Sequence, residues 1–355
     1  MWLAPTTSAQ RLTALAPALQ AQADSLWQQI RLPLGPETSS YPRFVLVNST
    51  EEASIYVGTD SALTPLLYTR DGGQSWHSDV SGFPTTNVAA LTRDPTNPDT
   101  LFAAGEQSDI NAIYRSQDGG LTWTRHATGQ SSDAAIRAIA VHPITPTLVL
   151  AGDGINIYRS ENGGESWSAT SLMSATQGPM KQILVDVHEP QRLYAIAQYV
   201  GTFVSQDAGL TWSLSPIQAD WLSIDPATPG LMYKTHCPTP DGCWASSSRD
   251  NGATWTDLTL PEFSTYFRID VDPNNSNILY LASHHQPVYK SENRGLSWVK
   301  LDRRSDGEII SGVTVFSLVS LSPSHETQLY VVDRRKPAAS YPASAWVDRR
   351  AYQRL

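Results

Sequence analysis

YRSQDGGLTW, residues 114–123, decides how this chain folds, because its turn-forming half returns along the sequence. Six copies occur: TRDGGQSW (69–76), SQDGGLTW (116–123), SENGGESW (160–167), SQDAGLTW (205–212), SRDNGATW (248–255) and SENRGLSW (291–298). Each reads Ser or Thr, any residue, Asp or Asn, any residue, Gly, any residue, Ser or Thr, Trp. The tryptophans stand 43 to 47 residues apart, the length of one four-stranded propeller blade.

The residue types explain themselves as a hairpin lock. A short carboxylate or amide (Asp71, Asp118, Asn162, Asp207, Asp250, Asn293) accepts hydrogen bonds from backbone N–H groups just beyond it and closes a tight turn. The glycine, Gly120 or Gly164 for example, supplies the positive φ such a turn requires. The flanking Ser or Thr satisfies further turn polar groups. The tryptophan (Trp76, Trp123, Trp167, Trp212, Trp255, Trp298) begins the next strand and packs its indole between layers.

A second repeat lies between these turns: an apolar strand, a turn like Asp-Pro-x-x-Pro, then a strand with Leu or Ile beside Tyr. It runs FVLVNSTEEASIYVG (44–58), LTRDPTNPDTLFAAG (91–105), IAVHPITPTLVLAG (139–152), ILVDVHEPQRLYAIA (183–197), LSIDPATPGLMYKT (222–235), IDVDPNNSNILYLA (269–282) and VSLSPSHETQLYVV (319–332), seven copies against six turns. The missing tryptophan strand is at the other end of the chain, as Trp27 in LWQQIRLP, and SAWVDRRAYQRL supplies a strand with Trp346 where earlier blades carry Tyr114, Tyr158 or Tyr289. The pattern therefore predicts an all-β, seven-bladed β-propeller of four-stranded antiparallel blades, spanning 26–355 as one domain. An N-terminal strand joining the C-terminal blade would close it and leave no free edge. Six blades, one per turn, is the alternative.

The repeated turns resemble the Asp-box, or bacterial neuraminidase, repeats of sialidases, xyloglucanase-type glycoside hydrolases, sortilin-type receptor domains and the photosystem II stability and assembly factors. In those families the box is a fold element lying away from the catalytic face, so the resemblance implies a propeller without assigning it chemistry. In overall plan the chain is most similar to the assembly factors, over residues 26–355. That likeness implies a scaffold or assembly module that docks another protein or peptide, as part of a larger complex.

Composition narrows the partners. With 355 residues, 40% of them hydrophobic, the chain can bury a large core, and its net charge of −9 disfavours nucleic acid and anionic membrane as partners. No apolar run of about 18 residues exists to span a bilayer. Cys237 and Cys243 stand close together in CPTPDGC, a spacing open either to a disulfide, with an extracytoplasmic compartment (periplasm, cell surface or secretion), or to two free thiols. Residues 1–25 lie outside the repeats. Leu12 to Leu19 is a short apolar stretch interrupted by Pro17, with Arg11 before it and Ala21-Gln22-Ala23 after it, and reads as an ordered arm or a weak signal-like extension.

In a four-stranded blade the repeated turns share one face with the Asp-Pro-like turns, leaving the less regular segments on the opposite face, where binding is expected. The position five residues before each Asp-Pro-like turn begins the innermost strand. Around the ring it reads Arg43, Ala89, Arg137, Lys181, Asp220, Phe267 and Ser317, with Arg268 one place further on. Arg43, Arg137, Lys181 and Arg268 would make a positive mouth for an acidic segment, with Trp221, Tyr199 and Tyr266 as aromatic anchors. The bland reading pairs these cations with Asp133, Asp220 or Asp270 as staples between blades.

The resemblance to sialidases implies an arginine triad, a tyrosine nucleophile and an aspartate acid/base. Arg43, Arg137 and Arg268 with Tyr266 or Tyr199 fill those places only in outline, because the family's Arg-Ile-Pro signature is replaced by Pro42-Arg43-Phe44-Val45. Xyloglucanase-type hydrolysis needs two facing aspartates, for which Asp109, Asp153 and Asp220 are candidates. No metal or cofactor site is expected: His284 and His285 are adjacent in sequence and do not share a face, and no nucleophile elbow, phosphate loop or paired CxxC is present. Two readings stand: a non-catalytic interaction module, with carbohydrate a possible ligand, or a glycosidase.

Overall fold

The computed structural model describes residues 27–33, 42–47, 54–59, 64–83, 87–107, 110–126, 135–153, 155–171, 178–239, 242–261, 267–283, 288–301, 313–319, 328–333 and 344–348. The N-terminal extension 1–25, Asp109, Asp133, Tyr266, His284 and His285 lie outside the described residues.

The described strands assemble into antiparallel sheets, all but one of them built from strands consecutive in sequence. Ala138–Val141, Val149–Gly152, Asn156–Ser160 and Ser168–Ser171 form one four-stranded blade. Met180–Val185, Leu193–Ala197, Gly201–Ser205 and Ser213–Leu214 form the next, and Trp221–Ile224, Met232–Thr239, Gly242–Ser248 and Thr256–Asp257 the one after. Asn87–Arg93 to Thr124–His126 and Phe267–Asp272 to Val299–Leu301 give two more. The expected closure is present: Trp27–Arg31 pairs antiparallel with Ser344–Asp348, outermost in a sheet completed by Gln328–Asp333 and Val313–Val319. Innermost strands of successive sheets touch from Pro42–Val47 round to Phe267–Asp272, Asn275–Ser283 meets Val313–Val319, and Pro42–Val47 meets Val313–Val319. The molecule is a β-propeller.

The expectation of seven four-stranded blades needs correction. Six sheets have four strands, the count of the six-blade alternative; the sheet of Pro42–Val47, Ile55–Thr59 and Leu66–Thr69 has three. The reason is local. After Trp76 the chain makes a single bridge, His77 to Tyr68, and then leaves the sheet edge. Ser81 instead bonds the neighbouring blade's turn, its N–H to Leu121 O at 3.0 Å and its carbonyl to Trp123 N at 2.9 Å.

Layering follows the apolar pattern. The second strand of a blade is covered on both faces by adjacent blades, so Ile55–Thr59 and Leu193–Ala197 are buried at every position and do not alternate apolar with polar. The outermost Ser213–Leu214 and Thr256–Asp257 are exposed throughout. The core lies between blades: Phe102, Ile113, Val149, Ala151 and Tyr158 form one interface cluster, and Tyr194, Ile196, Leu222 and Met232 another. Each fully buried large side chain contributes about 1.5–3 kcal/mol.

The repeated turn works as a closed set of hydrogen bonds. Ser116 Oγ donates to Asp118 Oδ1 (2.8 Å) and accepts from Gly120 N–H (2.8 Å). Asp118 Oδ1 accepts from the N–H of Leu121 and Thr122, and Oδ2 from the Thr122 hydroxyl. Where Asn162 replaces the acid, its Oδ1 accepts from Ser166 N–H and its Nδ2 donates to Ser166 Oγ, both at 2.9 Å.

Two consecutive residues take positive φ, one more than the sequence pattern suggests: Gly119 (68°) with Gly120 (87°), and likewise Ala208, Asn251 and Arg294 (56–58°) each before a glycine at 85°. The first place thus tolerates a side chain in three turns, whereas the second holds glycine in all six. At Gly120 a Cβ would lie 3.2 Å from Leu101 Cδ1 and Tyr56 Cε1 in the core, whereas at Gly119 the nearest atoms, Arg70 Nη2 at 2.9 Å and Asp99 Oδ1 at 3.3 Å, are the movable ends of polar side chains. Gly119→Ala is therefore expected to cost about 1 kcal/mol and Gly120→Ala about 2 kcal/mol, the left-handed penalty plus crowding. Urea unfolding of the two variants checks the order.

The acid turns titrate and the amide turns do not. Hydrogen bonds from the Thr254 hydroxyl, Thr254 N–H and Ser248 hold exposed Asp250 down at about 2, and those from Ser75 and Thr69 depress Asp71. At Asp118 and Asp207 burial pushes upward, but hydrogen bonds from Thr122 and Thr211 outweigh it. A depressed folded pKa stabilises above the unfolded carboxylate value, about 3.9, and that contribution is lost as pH falls through the folded value. Asp250→Asn, which copies the geometry of Asn162, is expected to leave stability at pH 7 nearly unchanged and to flatten the decline between pH 4 and about 2. Thermal midpoints at pH 7, 4, 3 and 2 test this.

Candidate functional site

The innermost strands line the central channel of a propeller, and their starts lie on the face opposite the repeated turns. Register breaks between Pro42 and Phe44, Val88 and Ala90, and Met180 and Gln182 make Arg43, Ala89 and Lys181 extra residues in their strands. A bulge of this kind re-aims a side chain and recurs next to binding sites. No sequence pattern reveals it.

The best-defined cluster spans the fourth to sixth tryptophan-turn neighbourhoods, from Lys181 to Asp270. Lys181 Nζ donates to Asp220 Oδ1 at 2.7 Å, joining two blades. Asp220 is held from two further sides: its N–H bonds Thr235 O (2.7 Å), and its Oδ2 accepts from Cys237 N–H (2.8 Å). His236 Nδ1 lies 3.4 Å from Oδ2, and its ring meets Trp244 edge-on at 5.0 Å. Cys237 and Cys243 are disulfide-bonded, so of the two thiol readings the bridge is the one present. Beside this pair, Gln182 acts as a strand substitute: its Nε2 donates to Leu222 O and its Oε1 accepts from Leu222 N–H, both at 3.0 Å.

On the next boundary Trp221 Nε1–H donates to Asp270 Oδ1 (3.1 Å), while Arg268 sits 5.0 Å above the indole and 3.7 Å from Asp270 Oδ2. Burial raises the Asp270 carboxyl, against the opposing effects of Arg268 and the Trp221 hydrogen bond, and burial lowers the Arg268 guanidinium. Both side chains still keep a quarter or less of their surface open, 25 and 21%.

The sequence-nominated residues thus divide. Lys181, Asp220, Trp221 and Arg268 come together, but as paired staples: the expected open positive mouth is replaced here by an alternation of cation and carboxylate. Trp221 spends its N–H on a blade boundary. Arg137, just before Ala138–Val141, is exposed, its N–H on Gly152 O (3.0 Å), and has no ion-pair partner among the described residues. Arg43 is placed by backbone alone. Phe267 is buried (6%). Ser317 lies inside its strand, paired with Tyr330, because Val313–Val319 begins four residues earlier than the turn count implied. Tyr199 projects at a hairpin tip, 86% exposed with φ 65°. Asp153 is buried and consumed by Tyr158 OH (2.8 Å) and the N–H groups of Ile155 and Asn156 (2.7 Å each). His236, Trp244 and Gln182 were not foreseen. The only sequence signal for the first two is their adjacency to the cysteines.

Among the described residues no group of three or more His, Cys, Asp or Glu is placed to hold a metal ion, and no helix is long and apolar enough to cross a membrane. A shallow depression lined by Tyr68, Arg70, Asp71, Ser75, His77 and Leu121 lies on the turn face, away from this cluster.

No protein-family model matches the sequence, and no curated protein does. Solved structures do match in fold. An ancestral GH74 enzyme shares 16% identity at a TM-score of 0.66 over 91% of this chain and 48% of its own. The GH74 enzyme of Niastella koreensis shares 17% at 0.66 over 90% and 55%. The chain therefore spans about half the length of these enzymes. YCF48 from Cyanidioschyzon merolae shares 14% at 0.62, over 91% of this chain and 98% of its own. A structure of YCF48 bound to D1 peptide shares 16% at 0.62 over 92% and 99%.

Proposed function

We propose that this chain is a non-catalytic interaction module: an Asp-box propeller, its three-stranded sheet counting as a seventh blade, that docks an acidic protein or peptide segment on the face opposite the repeated turns. One observation carries the reading. Of the aspartates that are candidates for hydrolysis, the two within the described residues are already engaged, Asp220 by Lys181 and Cys237 N–H and Asp153 by Tyr158, while Arg137 is exposed on the same face. Likeness to YCF48, seen with a bound peptide, adds support at the level of fold. The disulfide fits an oxidising, extracytoplasmic compartment.

Likeness to GH74 enzymes favours a second reading, carbohydrate hydrolysis. The two separate by assay. The full chain is expected to bind poly-L-glutamate in a salt-sensitive way, with Arg137→Glu weakening binding about threefold or more, and to release no product from a fluorogenic sialoside or from xyloglucan. Turnover of either glycan, or binding indifferent to Arg137, would sink the docking reading.

A further inference from the structure

We propose that Tyr199 and Trp244, on hairpins of neighbouring sheets, form an aromatic clamp for an aromatic side chain of the acidic segment, an assignment that rests on the docking reading and specifies its partner.

Both residues lie at the end of their sheets opposite the repeated turns. Residues 198–200 join Leu193–Ala197 to Gly201–Ser205, and Trp244 follows the hairpin between Met232–Thr239 and Gly242–Ser248. They are 86 and 39% exposed. The other large apolar side chains exposed among the described residues sit in the repeated turns, in the Asp-Pro-like turns or on outermost strands. Within the described residues, the large apolar side chains that the docking face exposes are therefore these two aromatics, residue types that dominate binding hot spots.

Tyr199 is held there at a cost. Its φ of 65° is a left-handed backbone that glycine or asparagine adopts more cheaply. The other non-glycine residues with positive φ among the described residues, Ala208, Asn251 and Arg294, each belong to a repeated turn, whose lock demands that backbone. Tyr199 belongs to none of them. Its hairpin tip is nonetheless fixed: Gln198 N–H donates to Pro179 O at 3.0 Å, Val200 N–H to Ala197 O at 3.2 Å, and Val200 packs against the core. A rigid tip that presents an exposed aromatic in a strained conformation points to a contact made by that side chain.

Trp244 is positioned in advance as well. It stands opposite His236 in the ladder and meets that ring edge-on at 5.0 Å, next to the Cys237–Cys243 bridge that clips the two strands. His236 Nδ1 lies 3.4 Å from Asp220, which is also bonded by Lys181 from the sheet that carries Tyr199. Trp244 thus belongs to the flank that faces the Tyr199 sheet. Exposed Arg137, in the sheet before that one, favours an anionic segment over a cationic one. A sugar would need acceptors for its hydroxyls, and the Asp220 carboxylate is already met by Lys181 and Cys237 N–H. An aromatic ring packs on such side chains edge-to-face or offset, while neighbouring carboxylates of the same segment reach Arg137.

The test titrates the full chain with poly-L-glutamate and with the random copolymer poly(Glu,Tyr). The copolymer is expected to bind about tenfold more tightly, the effect of one aromatic anchor. Tyr199→Gly should remove most of that advantage, leave poly-L-glutamate affinity nearly unchanged, and keep or raise the thermal midpoint, since glycine takes φ 65° without steric cost. A merely structural tyrosine would lower the midpoint. Tyr199→Phe should retain the advantage, Trp244→Ala should lose it, and Arg137→Glu should weaken both polymers while preserving their ratio. Equal affinity for the two polymers, or an advantage that survives Tyr199→Gly, overturns the clamp and leaves the docking face standing. Failure of both polymers to bind overturns both readings. Binding of a xyloglucan oligosaccharide that disappears in Tyr199→Gly gives the aromatics to a sugar and overturns the peptide occupant.

Discussion

Trp123→Ala is expected to cost the fold on the order of 3–5 kcal/mol, more than the same change at any other repeated tryptophan. Trp123 is 5% exposed and packs with Phe83 (centroids 4.6 Å apart), Tyr114, Leu101 and Val88. Its Nε1–H donates to Gly120 O at 2.9 Å. Its backbone also holds the segment that leaves the three-stranded sheet, through Ser81, and its carbonyl lies 2.2 Å from where a Cβ on Gly82 would be. Truncation therefore opens a cavity, orphans a turn carbonyl and loosens two blades together. At Trp298, half-buried with its N–H on Thr259 O, the loss should be smaller. Urea midpoints of Trp123→Ala and Trp298→Ala check the ranking; equal costs would refute the packing account.

Proline in the closing strand should be the second severe change. In antiparallel pairing alternate N–H groups point toward the partner strand, so of Gln29→Pro and Ile30→Pro, opposite Trp346 and Ala345, one removes a ladder bond and the other does not. The first is expected to lose about 3 kcal/mol or more and the second markedly less, read by thermal unfolding with the seventh-repeat strands followed by hydrogen exchange. Two equally mild variants would show that the closure contributes little.

Much of the architecture was legible because it repeats. One turn motif and one strand pair, each dictated by local chemistry, fixed strand order and predicted that Trp27 would lie beside the strand around Trp346. The site was far less legible. Whether Lys181 is free or neutralised depends on Asp220, in another blade, and on a bulge that composition does not show. The shortened first sheet was equally hidden, since nothing in HSDVSGF (77–83) announces that Ser81 bonds a neighbouring turn. His142 shows the limit of residue-type reading: it stands in a carboxylate's place, its Nδ1 accepting from Ile144 and Thr145 N–H, while Nε2 reaches Pro190 O in the next blade at 3.0 Å.

The pairing of Trp27–Arg31 with Ser344–Asp348 has a kinetic consequence. It joins segments from far apart in the sequence, so the loop-closure entropy it must overcome is the largest of any strand pair described, and it is expected to form late in refolding. Until the ring seals, Ser344–Asp348 presents an unpaired β edge, the feature through which strands of separate molecules associate.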